Sequence, residues 1–138
     1  MTVRLNPYLS FRDNAGEAMT FYHGVLGGEL TLTTFAEAQA SHDPADDDKI
    51  MHGMIETADG LALMGADTPT GMDYTPGASI SVSLSGDDDA RLRAFWDGLA
   101  DGGTVTVPLE MAPWGDAFGM LVDRFGTAWM VNIAGTAG

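Results

Sequence analysis

The strongest constraint on how this chain can fold is that it repeats itself. Set without a gap against residues 117–130, residues 51–64 give five identities in 14 positions. Gly53 meets Gly119, Met54 meets Met120, Gly60 meets Gly126, Ala62 meets Ala128 and Met64 meets Met130. Phe21-Tyr22 likewise falls opposite Phe95-Trp96. Self-similarity of this kind means one supersecondary unit built twice, each copy burying its own apolar face. At 138 residues the two copies form one domain of ordinary size.

Element order supports the duplication. Val3, Leu5, Leu9 and Phe11 alternate with polar neighbours, which predicts a first strand with one covered face. Asn14 is positioned as an N-cap with Glu17 three residues on. Ala15, Ala18, Met19, Tyr22, Val25 and Leu26 then mark one face of a helix that Gly27-Gly28 stops. A strand over 29–35 follows. Residues 36–49 are small and polar and predict a mobile loop; strands over 50–57 and 61–66 join through Asp59-Gly60, a hairpin signal. After a Pro- and Gly-rich linker over 68–77 the order recurs. It runs as a strand over 79–84, a helix with Leu92, Phe95, Trp96 and Leu99 on one face, a strand over 104–108, and a closing hairpin over 118–123 and 127–133. The predicted fold class is α+β: two β-α-β-β-β units, about 1–67 and 78–138, with curved, mixed, mostly antiparallel sheets. The helices span Ala15–Leu26 and Asp89–Ala100.

Period-two alternation then assigns faces. Ile80, Val82 and Leu84 are expected to face the second helix, and Leu61, Leu63 and Ile55 the first. The opposite, inner faces receive His52, Met54, Glu56, Ala62 and Met64 in one unit. In the other they receive Phe118, Met120, Val122, Ala128, Met130 and Asn132. An apolar lining with few polar groups suits a small-molecule pocket, although Met stripes also fill plain cores.

Charge narrows the partners. Twenty acidic residues oppose six basic ones, a formal net charge of −14, which argues against nucleic-acid and anionic-membrane partners because both need clustered Lys and Arg. No Cys is present, so disulfides, thiolate metal sites and a Cys nucleophile are excluded. No apolar run approaches membrane-spanning length, and residues 1–6 lack the charged-then-apolar order of a signal peptide. A soluble, cytoplasmic domain is expected.

Several stretches resemble the vicinal oxygen chelate superfamily, in particular its PhnB-like, glyoxalase-like branch. They are Pro7-Tyr8-Leu9-Ser10-Phe11, Asn14-Ala15-Gly16-Glu17-Ala18, Leu26-Gly27-Gly28-Glu29-Leu30, Met51-His52-Gly53-Met54 and Trp114-Gly115-Asp116-Ala117-Phe118-Gly119-Met120, with the closing residues 123–132. The superfamily includes glyoxalase I, fosfomycin- and bleomycin-resistance proteins and extradiol dioxygenases, and its architecture is the paired β-α-β-β-β unit. The resemblance implies a divalent metal held by His and Glu from four strands. Carried over position by position, those ligands fall on Pro7 or Tyr8, Met64, Ser81 and Met130. None is a His or a carboxylate, and a thioether suits neither Zn nor Fe. No metal and no other cofactor is expected.

The remaining candidates come from the residues themselves. His52 and Glu56 share a predicted inner face and are the candidate acid–base pair. Tyr8, His52, Met54, Met64, Ser81, Trp114, Phe118, Met120, Arg124 and Met130 are the candidate ligand contacts. Trp114 lies in a Gly- and Pro-flanked loop; Arg124 could hold an anionic group or form a turn salt bridge with Asp123. Three readings stay open: a metal-free binding protein for an apolar or aromatic small molecule, acting as a homodimer; an enzyme of the resembled superfamily, of lyase, dioxygenase or transferase type, using His52 and Glu56 as an acid–base pair or an atypical metal site; and a partner-association module.

Overall fold

The computed structural model of the chain describes residues 3–74 and 79–135. It divides into two compact units, Met1–Pro76 and Gly77–Gly138. Thr75, Pro76 and Gly77 of the expected linker lie outside the described residues.

Unit one contains β1 (Tyr8–Phe11), α1 (Ala15–Leu26), β2 (Glu29–Thr34), β3 (Ile50–Glu56) and β4 (Ala62–Asp67). The sheet order is β1-β4-β3-β2, with β1 parallel to β4 and the other pairs antiparallel. Unit two repeats the plan with β5 (Val82–Gly86), α2 (Asp89–Ala100), β6 (Thr104–Met111), β7 (Ala117–Val122) and β8 (Ala128–Ile133). Its order is β5-β8-β7-β6, again with only the β5–β8 pair parallel. Both helices have the bounds expected from sequence. Each ends at a glycine-bearing turn, and Gly27, at φ 76°, donates its N–H to the His23 carbonyl.

Each helix covers one face of its own sheet. In unit one Ala15, Ala18, Met19, Tyr22 and Leu26 are buried with Phe11, Ile55 and Leu63. In unit two Leu92, Phe95, Trp96 and Leu99 are buried with Leu84, Leu121, Trp129, Val131 and Ile133. The helix comes so close that the strand beneath it needs glycine. A Cβ on Gly119 would stand 2.7 Å from the Trp96 ring and 2.8 Å from the Leu109 Cα. A Cβ on Gly65 would stand 2.9 Å from the Met19 sulfur. The repeated Gly53 and Gly119 are therefore packing positions on the helix side of β3 and β7.

Three buried carboxylates tie loops to these layers. Asp67, at the end of β4, accepts from the backbone N–H of Ala15 and of Ile50. It thereby caps α1, a role expected of Asn14, which makes no side-chain cap. The second helix is capped locally, by Asp88 accepting from the Arg91 N–H. Asp123 accepts from the N–H groups of Phe125 and Thr127 and from the Trp129 indole, so it builds the β7–β8 turn from inside. Asp46 accepts from the Thr70 N–H and hydroxyl and pairs with Lys49 at 2.9 Å. The Lys49 ammonium, then the Thr70 hydroxyl, hold the Asp46 carboxyl below its ordinary pKa, and the same pairing raises that of Lys49. The 36–49 segment, predicted as a loop, is a mostly exposed loop tied down at Asp46. It is a closed excursion with a short 3-10 turn (Pro44–Asp46), Asp47 bonded to Ser41, and Phe35 donating to the Lys49 carbonyl.

Three further expectations need correction. The first strand begins at Tyr8, and Val3 and Leu5 are fully exposed. Ile80 does not face the helix: it precedes β5 and is 81% exposed. Leu61 lies in the β3–β4 turn, where its carbonyl accepts from the Thr57 N–H, and is half-buried. In each case alternation continues beyond the last residue that has a partner strand. Among the described residues no helix is long and apolar enough to cross a membrane.

Gly119→Ala is expected to destabilise the protein by about 1–3 kcal/mol, because the added methyl meets backbone as well as the Trp96 ring. Urea melts check this. An unchanged midpoint would mean that α2 is not pressed onto β7.

Candidate functional site

With one face of each sheet covered by its helix, the other face carries the side chains available to a ligand. In unit one the register places Tyr8 beside Met64, Met64 beside Met54, and Met54 beside Thr31, a row running straight across four strands. His52 stands one step along, opposite Thr33, and its ring centroid lies 6.1 Å from that of Tyr8. Met54, Met64 and His52 are half-buried, whereas Gly53, Ile55 and Leu63 between them are buried. The expected face assignment holds for this hairpin.

Unit two has the matching row. Ser83 lies beside Met130, Met130 beside Met120, and Met120 beside Val107. One step along, Phe118 is flanked by Asn132 on β8 and Glu110 on β6. Trp114, 61% exposed, sets its ring edge-on to Phe118 with centroids 5.5 Å apart. Asn132 donates to the Asp116 carboxylate at 2.9 Å, and the Trp114 indole N–H points to the Asn132 carbonyl oxygen at 3.5 Å. Asp116 also accepts from the Gly135 N–H. The Asn132 amide, then the Gly135 amide, keep the Asp116 carboxyl below its ordinary pKa, so it is ionised at neutral pH.

Several candidate residues occupy other places than the sequence implied. Ser81 is two residues short of the position that mirrors Tyr8. Tyr8 pairs with Met64 and Ser83 pairs with Met130, so Ser83 is the true counterpart. Arg124 is not on the free face. It donates to the Asp101 carbonyl and pairs with the Asp101 carboxylate at 3.2 Å, fastening the β7–β8 turn to the end of α2. His52 and Glu56 share a face but not a site. Four residues along a strand separate Cα atoms by about 13 Å, and Glu56 instead pairs with Arg4 at 3.6 Å. Glu110 falls outside the strand over 104–108 that the sequence predicts, which ends at Pro108. As an edge strand, β6 tolerates a proline and continues to Met111.

The donor set at the four carried-over metal positions is now Tyr8, Met64, Ser83 and Met130: one phenol, one hydroxyl and two thioethers. Soft, weak thioethers do not fit Zn, Mn or Fe(II). Among the described residues no group of three or more His, Asp or Glu is gathered as metal ligands would be.

Residues 4–131 match the Glyoxalase/Bleomycin resistance protein/Dioxygenase superfamily. The chain belongs to that superfamily. The protein PA1353 from Pseudomonas aeruginosa has a similar solved structure, with a TM-score of 0.84 and 39% identity, covering 98% of this chain and 100% of that one. YjdN of Escherichia coli is 27% identical over 94% of each chain. A Bacillus cereus PhnB protein, described as a putative 3-demethylubiquinone-9 3-methyltransferase, shares the fold at a TM-score of 0.75 and 21% identity, covering 96% of this chain and all of that one. The superfamily and its PhnB-like fold, expected from the motifs, are both found.

Met64→Glu and Met130→Glu are each expected to cost less than about 2 kcal/mol, since both side chains are half-buried on a face not covered by the unit's own helix. Thermal melts decide. A loss above about 4 kcal/mol per site would mark a dry, filled core that cannot hold a carboxylate.

Proposed function

We propose that this superfamily member is a metal-free binding protein that holds an apolar or aromatic small molecule on the free faces of its sheets. The observation that carries this reading is the substitution of thioethers for ligating groups. Met64 and Met130 stand at matching points of the two sheets, each backed by a second Met on the neighbouring strand. Thioethers are polarizable, conform to irregular apolar shapes and make favourable contacts with aromatic rings. Trp114, Phe118 and Tyr8 supply aromatic surface at the same faces. Sequestration without chemistry is the activity such a lining supports. The acid–base alternative has less support, because His52 and Glu56 are held apart by strand geometry.

In this reading the protein acts as a homodimer in the cytoplasm. Val105, Val107 and Met111 are exposed along the edge strand β6, the kind of apolar edge that association covers. A chain without cysteine has no need of an oxidising compartment. Sedimentation equilibrium at micromolar concentration is expected to give twice the chain mass; a monomer would refute the dimer.

Binding is tested with the neutral fluorescent probe N-phenyl-1-naphthylamine. Saturable enhancement that weakens in the Met64→Glu/Met130→Glu double variant is expected, together with no heat on titration of the protein with zinc. One equivalent of Zn, Ni or Fe retained per purified chain, or an enhancement that never saturates, would overturn the reading.

A further inference from the structure

The free face of unit two carries acidic groups as well as aromatic rings. Their bearing on the ligand's charge deepens the binding reading above and depends on it. Trp114 and Phe118 offer an aromatic corner, and two carboxylates border it. Glu110 is the cross-strand neighbour of Phe118 and so stands on the same face. Asp116 is ionised, and its two partners there are the Asn132 amide and the Gly135 N–H, which are neutral dipoles that leave its charge uncompensated.

Positive charge is committed elsewhere. Arg91 lies over the Phe95 ring at 5.0 Å and Arg93 pairs with Asp89 at 2.9 Å, both on α2, against the covered side of the sheet. Arg124 is held by Asp101 at the far end of the β7–β8 hairpin. Lys49 is held between Asp13 and Asp46, Arg4 by Glu56, and Arg12 by the Met72 carbonyl, all in unit one. These are all six basic residues of the chain, and its three histidines also lie in unit one. An anionic ligand on this face would meet two carboxylates and none of unit two's three arginines, within a chain of net charge −14. A cationic aromatic would meet ring faces that attract positive charge and two countercharges beside them.

We propose that the Trp114–Phe118 corner, bordered by Glu110 and Asp116, is a binding site for a cationic aromatic small molecule.

A pair of fluorescent acridines tests this: 9-aminoacridine, a cation at neutral pH, and acridine-9-carboxylate, an anion of similar shape. The cation is expected to bind saturably and more tightly than the anion by at least about tenfold, weakening as salt rises. Glu110→Gln and Trp114→Ala are each expected to weaken the cation about fivefold. Glu29→Gln, which removes an acidic residue of unit one, is expected to leave it unchanged. Both tested side chains are exposed, so circular dichroism and melting should match the parent. If N-phenyl-1-naphthylamine binds but the two acridines bind equally, or the cation ignores Glu110→Gln and Trp114→Ala, this inference fails while the binding reading stands. If none of the three probes binds saturably, both fail.

Discussion

The organisation of both units depends on a steric contact: a helix side chain pressed against a strand at a residue with no side chain of its own. Met19 meets Gly53 and Gly65 in the first unit, and the Trp96 ring meets Gly119 in the second. Because side chains alternate along a strand, fixing one residue against the helix fixes the direction of every other residue in that strand. His52 and Met54 on β3, Met64 on β4, and Phe118 and Met120 on β7 are turned to the free face by this contact, and Tyr8, Met130 and Asn132 share that face through their pairing with Met64, Met120 and Phe118. The space that glycine leaves on one side of these strands thus sets apart a chemically distinct surface on the other.

Polar burial serves the same layers. Asp67, Asp46 and Asp123 are each nearly inaccessible, and each carboxylate is satisfied by backbone amides, a hydroxyl, an indole or an ammonium. Buried carboxylates are tolerated only when their oxygens are occupied in this way. Their consequence is positional. They close turns and helix ends from within the fold and leave Glu110 and Asp116 as the acidic groups bordering the aromatic corner.

Local signals in the sequence gave the helices to the residue, because apolar spacing and a terminal glycine are both local. They gave the faces of both hairpins, because alternation needs no partner to be read. They failed where a partner decides. Val3, Leu5 and Ile80 alternate as strand residues do, yet no ladder reaches them. The caps by Asp67 and the anchoring of Asp46 at Thr70 span 52 and 24 residues of sequence, and nothing local announces them. A shared face suggests the His52–Glu56 pairing but spacing along the strand forbids it, and the β5 register sets Ser83 rather than Ser81 beside Met130. The superfamily was legible in motifs, while the aromatic corner required the edge strand to be seen continuing past Pro108.

The two helix caps differ in one respect that bears on how the chain finds its fold. Asp88 is adjacent to the helix it caps, so α2 carries its own start signal and can be stabilised as soon as its first turn forms. The start of α1 is held by Asp67, whose chain must first traverse β2, the 36–49 excursion and the β3–β4 hairpin. Closing a loop of that length has an entropic cost before the contact returns anything. The duplicated units therefore share an architecture but not a capping range: the start signal of the second helix is local, whereas that of the first comes from the last strand of its sheet.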